Sequence, residues 1–195
     1  MATEIELKAH VRDSEALKGV LSGKAQLKSA FEKRDVYWFG PETPDLRVAK
    51  IRVRHEKLSS ADGTEKSRCL VTYKVKEEYH GFEINDELEF EVEPAEAFEE
   101  FLKTAGLKPG AGKVKRGWAF TKEKLTAELV EVEGLGWFVE LEILLDDKNK
   151  SEETIAWAKE TLLAFLDSLA IEREAIESRF YLDMLSAADQ GTYVI

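Results

Sequence analysis

Alternation of apolar and charged positions dominates the chain. In Glu4-Ile5-Glu6-Leu7-Lys8, Ile5 and Leu7 share one face of an extended strand, while Glu4, Glu6 and Lys8 share the other. Asp13 or Ser14 is placed to cap a short helix carrying Ala16, Leu17, Val20 and Leu21 and ending near Gly23. A strand through Phe31 to Phe39 stops at Gly40-Pro41, and the Pro41 to Asp45 loop turns the chain. The next strand runs from Arg47 to Glu56, with Ile51 and Val53 on one side and Lys50, Arg52 and Arg54 on the other. Asp62-Gly63 favours a hairpin into Leu70 to Lys76, where Lys74 and Lys76 oppose Val71, Tyr73 and Val75. In Glu83 to Glu93, the run Glu87-Leu88-Glu89-Phe90-Glu91-Val92-Glu93 alternates carboxylate and hydrophobe without a break.

Helical spacing returns after Pro94, with Phe98, Phe101 and Leu102 in phase and an end near Gly106. A basic stretch from Lys113 to Phe120 leads to a hairpin pair, Lys124 to Val132 and Trp137 to Leu145, around Gly134-Leu135-Gly136. Ser151 caps a helix to about Leu169, and a shorter helix is expected from Glu177 to Leu185. No composition break divides the chain, so one domain spanning 1–195 is expected, with C-terminal helices from about 151.

Six or more strands that are apolar on one side must bury those sides, and the helices supply partners. Their other sides are sorted by sign: Lys and Arg on some strands, Glu on others. A solvated sheet face is one reading, although such faces usually mix signs because like charges on neighbouring strands repel. Closure into a barrel is the other, and it turns the charged faces inward. A charged interior is too costly to exist for stability alone. It makes sense if a polyphosphate meets the cations and a hard divalent ion meets the carboxylates.

Composition narrows the function. The 195 residues carry a formal net charge of −11, which repels nucleic acid and anionic membranes as a whole-molecule field. The 28 Lys and Arg residues must therefore act where they concentrate. No apolar run approaches membrane-spanning length and no secretory leader is indicated, so a cytoplasmic protein is expected. Cys69 is the only cysteine, which excludes a thiolate metal cage, and His10, His55 and His80 lack ligand spacing.

These residues together resemble the CYTH proteins, also called triphosphate tunnel metalloenzymes. The resemblance runs from Glu4-Ile5-Glu6-Leu7-Lys8 through Arg52, Arg54, Lys74, Lys76, the glutamates from Glu87, the basic run ending at Arg116, and Gly134 to Glu142. It implies an α+β fold, a closed antiparallel eight-stranded barrel with helices packed outside. It also implies Mg2+ or Mn2+ held by Glu4, Glu6, Glu140 and Glu142, with some of Glu87, Glu89 and Glu91 assisting. Phosphate would be held by Lys8, Arg52, Arg54, Lys74, Lys76, Lys115 and Arg116, and Glu4, Glu6 and Lys8 would form the catalytic set. Lys113, Lys115 and Arg116 cannot all face inward from a regular strand.

The family divides between class IV adenylyl cyclases, which convert ATP to cyclic AMP and pyrophosphate, and hydrolases of inorganic triphosphate or thiamine triphosphate. Overall length, the Gly-Leu-Gly-Trp-Phe turn and the ending Arg179-Phe180-Tyr181 resemble the cyclase branch. A non-catalytic polyphosphate sensor is a third reading, and a homodimer is compatible with any of them. Two positions depart from the pattern. Val130 stands where many relatives carry Asp, with Glu128 on the same face as a substitute ligand, and Phe180 stands where serine is usual. Tyr37, Trp118 and Arg179 are the candidates for contact with a nucleotide base.

Overall fold

The computed structural model describes residues 2–40, 51–79, 82–146 and 151–191, with the side chains of 74–79, 146 and 189–191 left aside. The expected Pro41 to Asp45 loop and the strand start from Arg47 to Lys50 lie outside the described residues. Eight strands are present: β1 (Ala2–His10), β2 (Gln26–Phe39), β3 (Ile51–Ser60), β4 (Glu65–Tyr79), β5 (Phe82–Glu91), β6 (Lys108–Lys122), β7 (Leu125–Val132) and β8 (Gly136–Asp146). They close as an antiparallel barrel in the order β1-β5-β4-β3-β2-β6-β7-β8. Four α-helices pack around it: α1 (Ser14–Lys24), α2 (Ala95–Thr104), α3 (Glu152–Ser168) and α4 (Tyr181–Gly191).

The alternation decides which way each side chain points. Ile5, Leu7 and Ala9 of β1, Leu125, Ala127 and Leu129 of β7, and Val139, Leu141 and Ile143 of β8 turn outward. There they are buried under Leu17 and Leu21 of α1 and Ala158, Leu162, Phe165 and Leu166 of α3. Val53, Cys69 and Val71 form a second outer cluster under Leu102 and Phe98 of α2. The core of this protein is therefore a shell around the barrel, and the charged positions take its interior. Caps fix the helix starts: Asp13 accepts from the Ala16 amide at 3.0 Å, and Ser151 and Thr154 form a reciprocal capping box. Between β7 and β8, Gly134 and Gly136 both hold positive φ, which glycine adopts without strain.

The last helix differs from expectation. It begins at Tyr181 rather than Glu177, because the preceding segment is extended and zipped to β1. Ile176 bridges Ala9, and the Glu177 amide donates to the Lys8 carbonyl at 2.9 Å. This pairing lays α4 across one end of the barrel, where Tyr181 and Met184 pack on Phe31, Val130, Val132 and Phe138.

Candidate active site

The barrel encloses a cavity of about 700 Å³, and every strand contributes to the set of charged groups around it or behind its wall. Strand register explains the crowding. Across β1 and β8, Glu6 lies opposite Glu142 and Lys8 opposite Glu140; across β1 and β5, Glu6 lies opposite Glu83. Across β7 and β8, Glu128 lies opposite Glu140. Like-charge neighbours of this kind destabilise a sheet unless cations intervene.

Several cations do intervene. Lys115 Nζ reaches Glu140 Oε2 at 2.5 Å, Lys33 Nζ reaches Glu128 Oε1 at 2.5 Å, and Lys8 Nζ reaches Glu83 Oε1 at 2.5 Å. Arg54 grips Asp35 in a two-point fork, Nε to Oδ1 at 2.7 Å and NH2 to Oδ2 at 2.9 Å. Arg52 donates to Thr72 at 2.8 Å and to Glu89 at 3.4 Å, and Arg68 donates to Glu56 at 2.5 Å.

Titration behaviour separates the two sides of the cavity. Burial works against ionisation of Glu140, yet the Lys115 ammonium overrides it and holds the carboxyl at about 2. For Asp35, burial is likewise overridden, by the Arg54 guanidinium, and the carboxyl sits well below its usual range. Glu142 moves the other way: burial, then Glu4, Glu128 and Glu6, push its carboxyl well above the ordinary value. Burial and then Glu140 push the Tyr181 hydroxyl well up, so it stays protonated. Around the Tyr181 ring stand three ammonium groups, Lys113 at 5.2 Å, Lys8 at 5.4 Å and Lys115 at 5.6 Å from its centroid. One wall thus gathers cations, and among the described side chains the other gathers the carboxylates Glu4, Glu6, Glu128 and Glu142.

A CYTH domain model matches residues 2–181. The chain belongs to the CYTH family. A Methanocaldococcus jannaschii protein provisionally named adenylate cyclase is 28% identical over 187 residues, covering 93% of this chain and 97% of the relative. A solved Pyrococcus horikoshii protein superposes with a TM-score of 0.77 at 25% identity, over 94% of this chain and 98% of that one. A Hippeastrum protein, named as an adenylyl cyclase but described as having a dominant triphosphatase activity, aligns with a TM-score of 0.64 over 96% of both chains; its 18% identity shows the fold alone.

Within this CYTH barrel, Glu4, Glu6, Glu87, Glu89, Glu128, Glu140, Glu142, Arg52, Arg54 and Lys115 all line the cavity. Two expected residues, Arg116 and Arg179, are placed differently. Arg116 follows the inward Lys115 by one position and so faces outward, bound to Glu32 at 2.9 Å and Glu133 at 3.0 Å. Alternation admits Lys113 and Lys115 to the interior and ejects their neighbour. Arg179 lies outside the cavity, clamped on Glu177 at 2.9 and 2.5 Å. Lys8 is interior but only 2% exposed, held on Glu83 beside the rings of Phe180 and Tyr181. Glu91 is at the rim with Lys66 at 3.7 Å, and the side chains of Lys74 and Lys76 lie outside the described set.

Of the base-contact candidates, Tyr37 lines the cavity and accepts from Lys113 at 3.2 Å, whereas Trp118 faces out and stacks on Trp137. Lys33, Asp35, Glu56, Arg68, Glu83 and Tyr181 join the site beyond the expected set. For β2 the signal was present, since Phe31, Lys33, Asp35 and Tyr37 recur at every second position.

Oxygen donors of this kind suit a small hard cation. The carboxylates around Glu142 fit one, although among the described residues no three acidic, histidine or cysteine groups converge into a ready-made cage. That pattern matches ions that use one or two protein carboxylates and complete their shell with water and phosphate.

Proposed function

We propose that this CYTH protein is a divalent-metal-dependent enzyme that draws a triphosphate into its barrel, with ATP cyclisation to cyclic AMP and pyrophosphate as the leading reaction. The observation that carries the triphosphate reading is the sorting of one closed cavity into a cationic wall, Arg52, Arg54, Lys113 and Lys115, and an acidic wall, Glu4, Glu6 and Glu142. Cyclisation is supported by the likeness to the M. jannaschii relative's name and to the cyclase branch's turn and ending.

In this reading the arginines hold non-bridging phosphate oxygens by paired N–H donors and the lysines act as point charges. Lys115 exchanges Glu140 for phosphate, which frees Glu140 beside Glu142. Glu4, Glu6, Glu140 and Glu142 would hold Mg2+ or Mn2+. When bound, such an ion neutralises charge on the reacting phosphate and lowers the pKa of an attacking hydroxyl or water. In cyclisation the ribose 3′-hydroxyl attacks the α-phosphorus and pyrophosphate leaves. The barrel wall orients the chain in line and limits competing water.

Triphosphate hydrolysis is the second reading, favoured by a specific observation: two of the three base-contact candidates, Trp118 and Arg179, lie outside the cavity. The Hippeastrum neighbour also illustrates that a cyclase name on this fold can accompany triphosphatase activity. Product identification decides between them. ATP, tripolyphosphate and thiamine triphosphate are incubated with the protein in Mg2+ and in Mn2+; cyclic AMP with pyrophosphate supports cyclisation, and orthophosphate release supports hydrolysis. Tight tripolyphosphate binding without turnover of any substrate identifies a sensor and overturns both.

The arginine that alternation ejects supplies a further check. Lys115→Ala is expected to weaken tripolyphosphate binding about tenfold or more, the scale of one lost charged hydrogen bond, and Arg116→Ala by less than about twofold. Calorimetric titration reads both, and equal losses would put Arg116 back in the phosphate cradle.

A further inference from the structure

Lys33 bridges carboxylates from two different strands. Its ammonium lies 2.5 Å from Glu128 Oε1 and 3.8 Å from Glu56 Oε1, and 4.3 Å from the centroid of the Phe31 ring. Glu56 in turn binds Arg68, so an alternating chain Arg68-Glu56-Lys33-Glu128 crosses the cavity wall from β4 to β7. Lys113 and Lys115, each also beside a carboxylate, stand together against the Tyr181 ring with Arg52 and Arg54 near at hand. An incoming phosphate is drawn to that second group; Lys33 already has two anionic neighbours.

Register shows why Lys33 reaches so far. It sits on β2 opposite Lys115 of β6, and Glu128 sits on β7 opposite Ala119 of β6. The inward β6 positions beyond Lys115 are Gly117, Ala119 and Thr121, none of which carries a charge to compete with Lys33 for Glu128. The other inward positions of β7 are Thr126, Val130 and Val132, so Glu128 is the single carboxylate that β7 turns toward the interior. Glu128 also crowds Glu142 from across the β7–β8 pair.

We infer that Lys33 is a built-in counter-ion that withdraws Glu128 from the cation-binding carboxylates, leaving divalent metal to the β1 and β8 residues Glu4, Glu6, Glu140 and Glu142. This rests on the metal-dependent reading proposed above. It assigns Lys33 a role in metal affinity and number, and it makes Val130 and Lys33 act together: one removes a β7 ligand and the other neutralises the ligand beside it.

Mn2+ titration without substrate tests this, with free Mn2+ followed by electron paramagnetic resonance in wild type, Lys33→Gln, Glu128→Gln and the double variant. Glu128→Gln is expected to bind Mn2+ about tenfold more weakly than wild type, because it strands the Lys33 ammonium beside the remaining ligands. Lys33→Gln is expected to bind about tenfold more tightly or to take up one extra ion, the scale of removing a unit charge a few ångströms from the metal. In the double variant, binding returns to the wild-type level, which is the coupling expected of a direct pair.

A tenfold loss in the double variant, whose net charge equals that of wild type, would make Glu128 a working ligand and overturn the inference, and this arm decides even if Lys33→Gln fails to fold. Unchanged Mn2+ binding in Lys33→Gln, with weakened tripolyphosphate binding, would move Lys33 into the phosphate cradle and also overturn it. No Mn2+ binding in any of the four proteins would remove the metal-dependent reading itself. Binding that is present but identical in all four would remove only the role given to Lys33.

Discussion

Glu142→Gln is expected to make the metal-free protein more stable at pH 8 while reducing turnover on the order of 100-fold or more, the scale of removing one preorganised charged group from a reacting site. The stability arm follows from the direction in which Glu142 is pushed. Burial and the neighbours Glu4, Glu128 and Glu6 raise its folded pKa above 4.5. Between 4.5 and that raised value, the folded chain holds more protons than the unfolded chain. Wild-type stability therefore falls as pH rises through this window.

Glutamine keeps the side chain's shape and removes the ionisation, so the variant loses that slope. Urea melts at pH 5 and pH 8 without metal check it. Wild type should lose more stability over the interval than Glu142→Gln. At pH 8 the variant's melting temperature should exceed wild type by about 2–4 °C for each kcal/mol of repulsion removed. Equal pH slopes in the two proteins would show that Glu142 is not crowded by its acidic neighbours.

The barrel was readable because a period of two carries two facts at once. Ile5 and Leu7 identify an outer face, and the same count places Glu4 and Glu6 on the inner one. From β8 the reading is equally direct, with Leu141 and Ile143 outside and Glu140 and Glu142 inside. At Lys113 to Arg116 composition pulled against parity: the run is basic throughout, and only register separates Lys115 from Arg116.

What remained hidden was partnership. A strand pattern states that Lys33 and Lys8 turn inward but not which carboxylate each meets. Glu128 lies 95 residues from Lys33, and Glu83 lies 75 residues from Lys8. Those distances are closed by barrel order and shear, which no single strand encodes. Near the C-terminus, helical composition masked an extended tie. The apolar and charged residues around Glu177 suit a helix, but pairing with the free edge of the Lys8 and Ala9 backbone satisfies their polar groups instead.

Arg54→Met is expected to lower the stability of the substrate-free protein by about 3–5 kcal/mol, because it strands the Asp35 carboxylate in the barrel interior. Asp35 is 2% exposed, and Arg54 supplies both of its short contacts, at 2.7 and 2.9 Å. Lys113 at 3.7 Å from Oδ2 is too distant to replace them, although its charge softens the loss. For a chain of 195 residues this corresponds to a fall in melting temperature of about 6–20 °C. Replacing both partners, as in Asp35→Leu with Arg54→Met, should recover most of it, since two apolar groups leave no buried charge behind.

The pH dependence has the opposite sign to that of Glu142. Arg54 holds the folded pKa of Asp35 well below 3.8, so the pair's contribution is complete above 3.8 and is lost as pH falls through the lower folded value. Arg54→Met should therefore cost more at pH 7 than at pH 3, and denaturant melts at the two pH values read the difference. A phosphate held by Arg54 must be gripped with Asp35 still attached, through the guanidinium edge that the two Asp35 contacts leave open. Asp35→Asn should then weaken tripolyphosphate binding only modestly while Arg54→Met weakens it about tenfold or more. If the two variants lose affinity equally, Asp35 sets the position of Arg54 and the fork itself is the phosphate site.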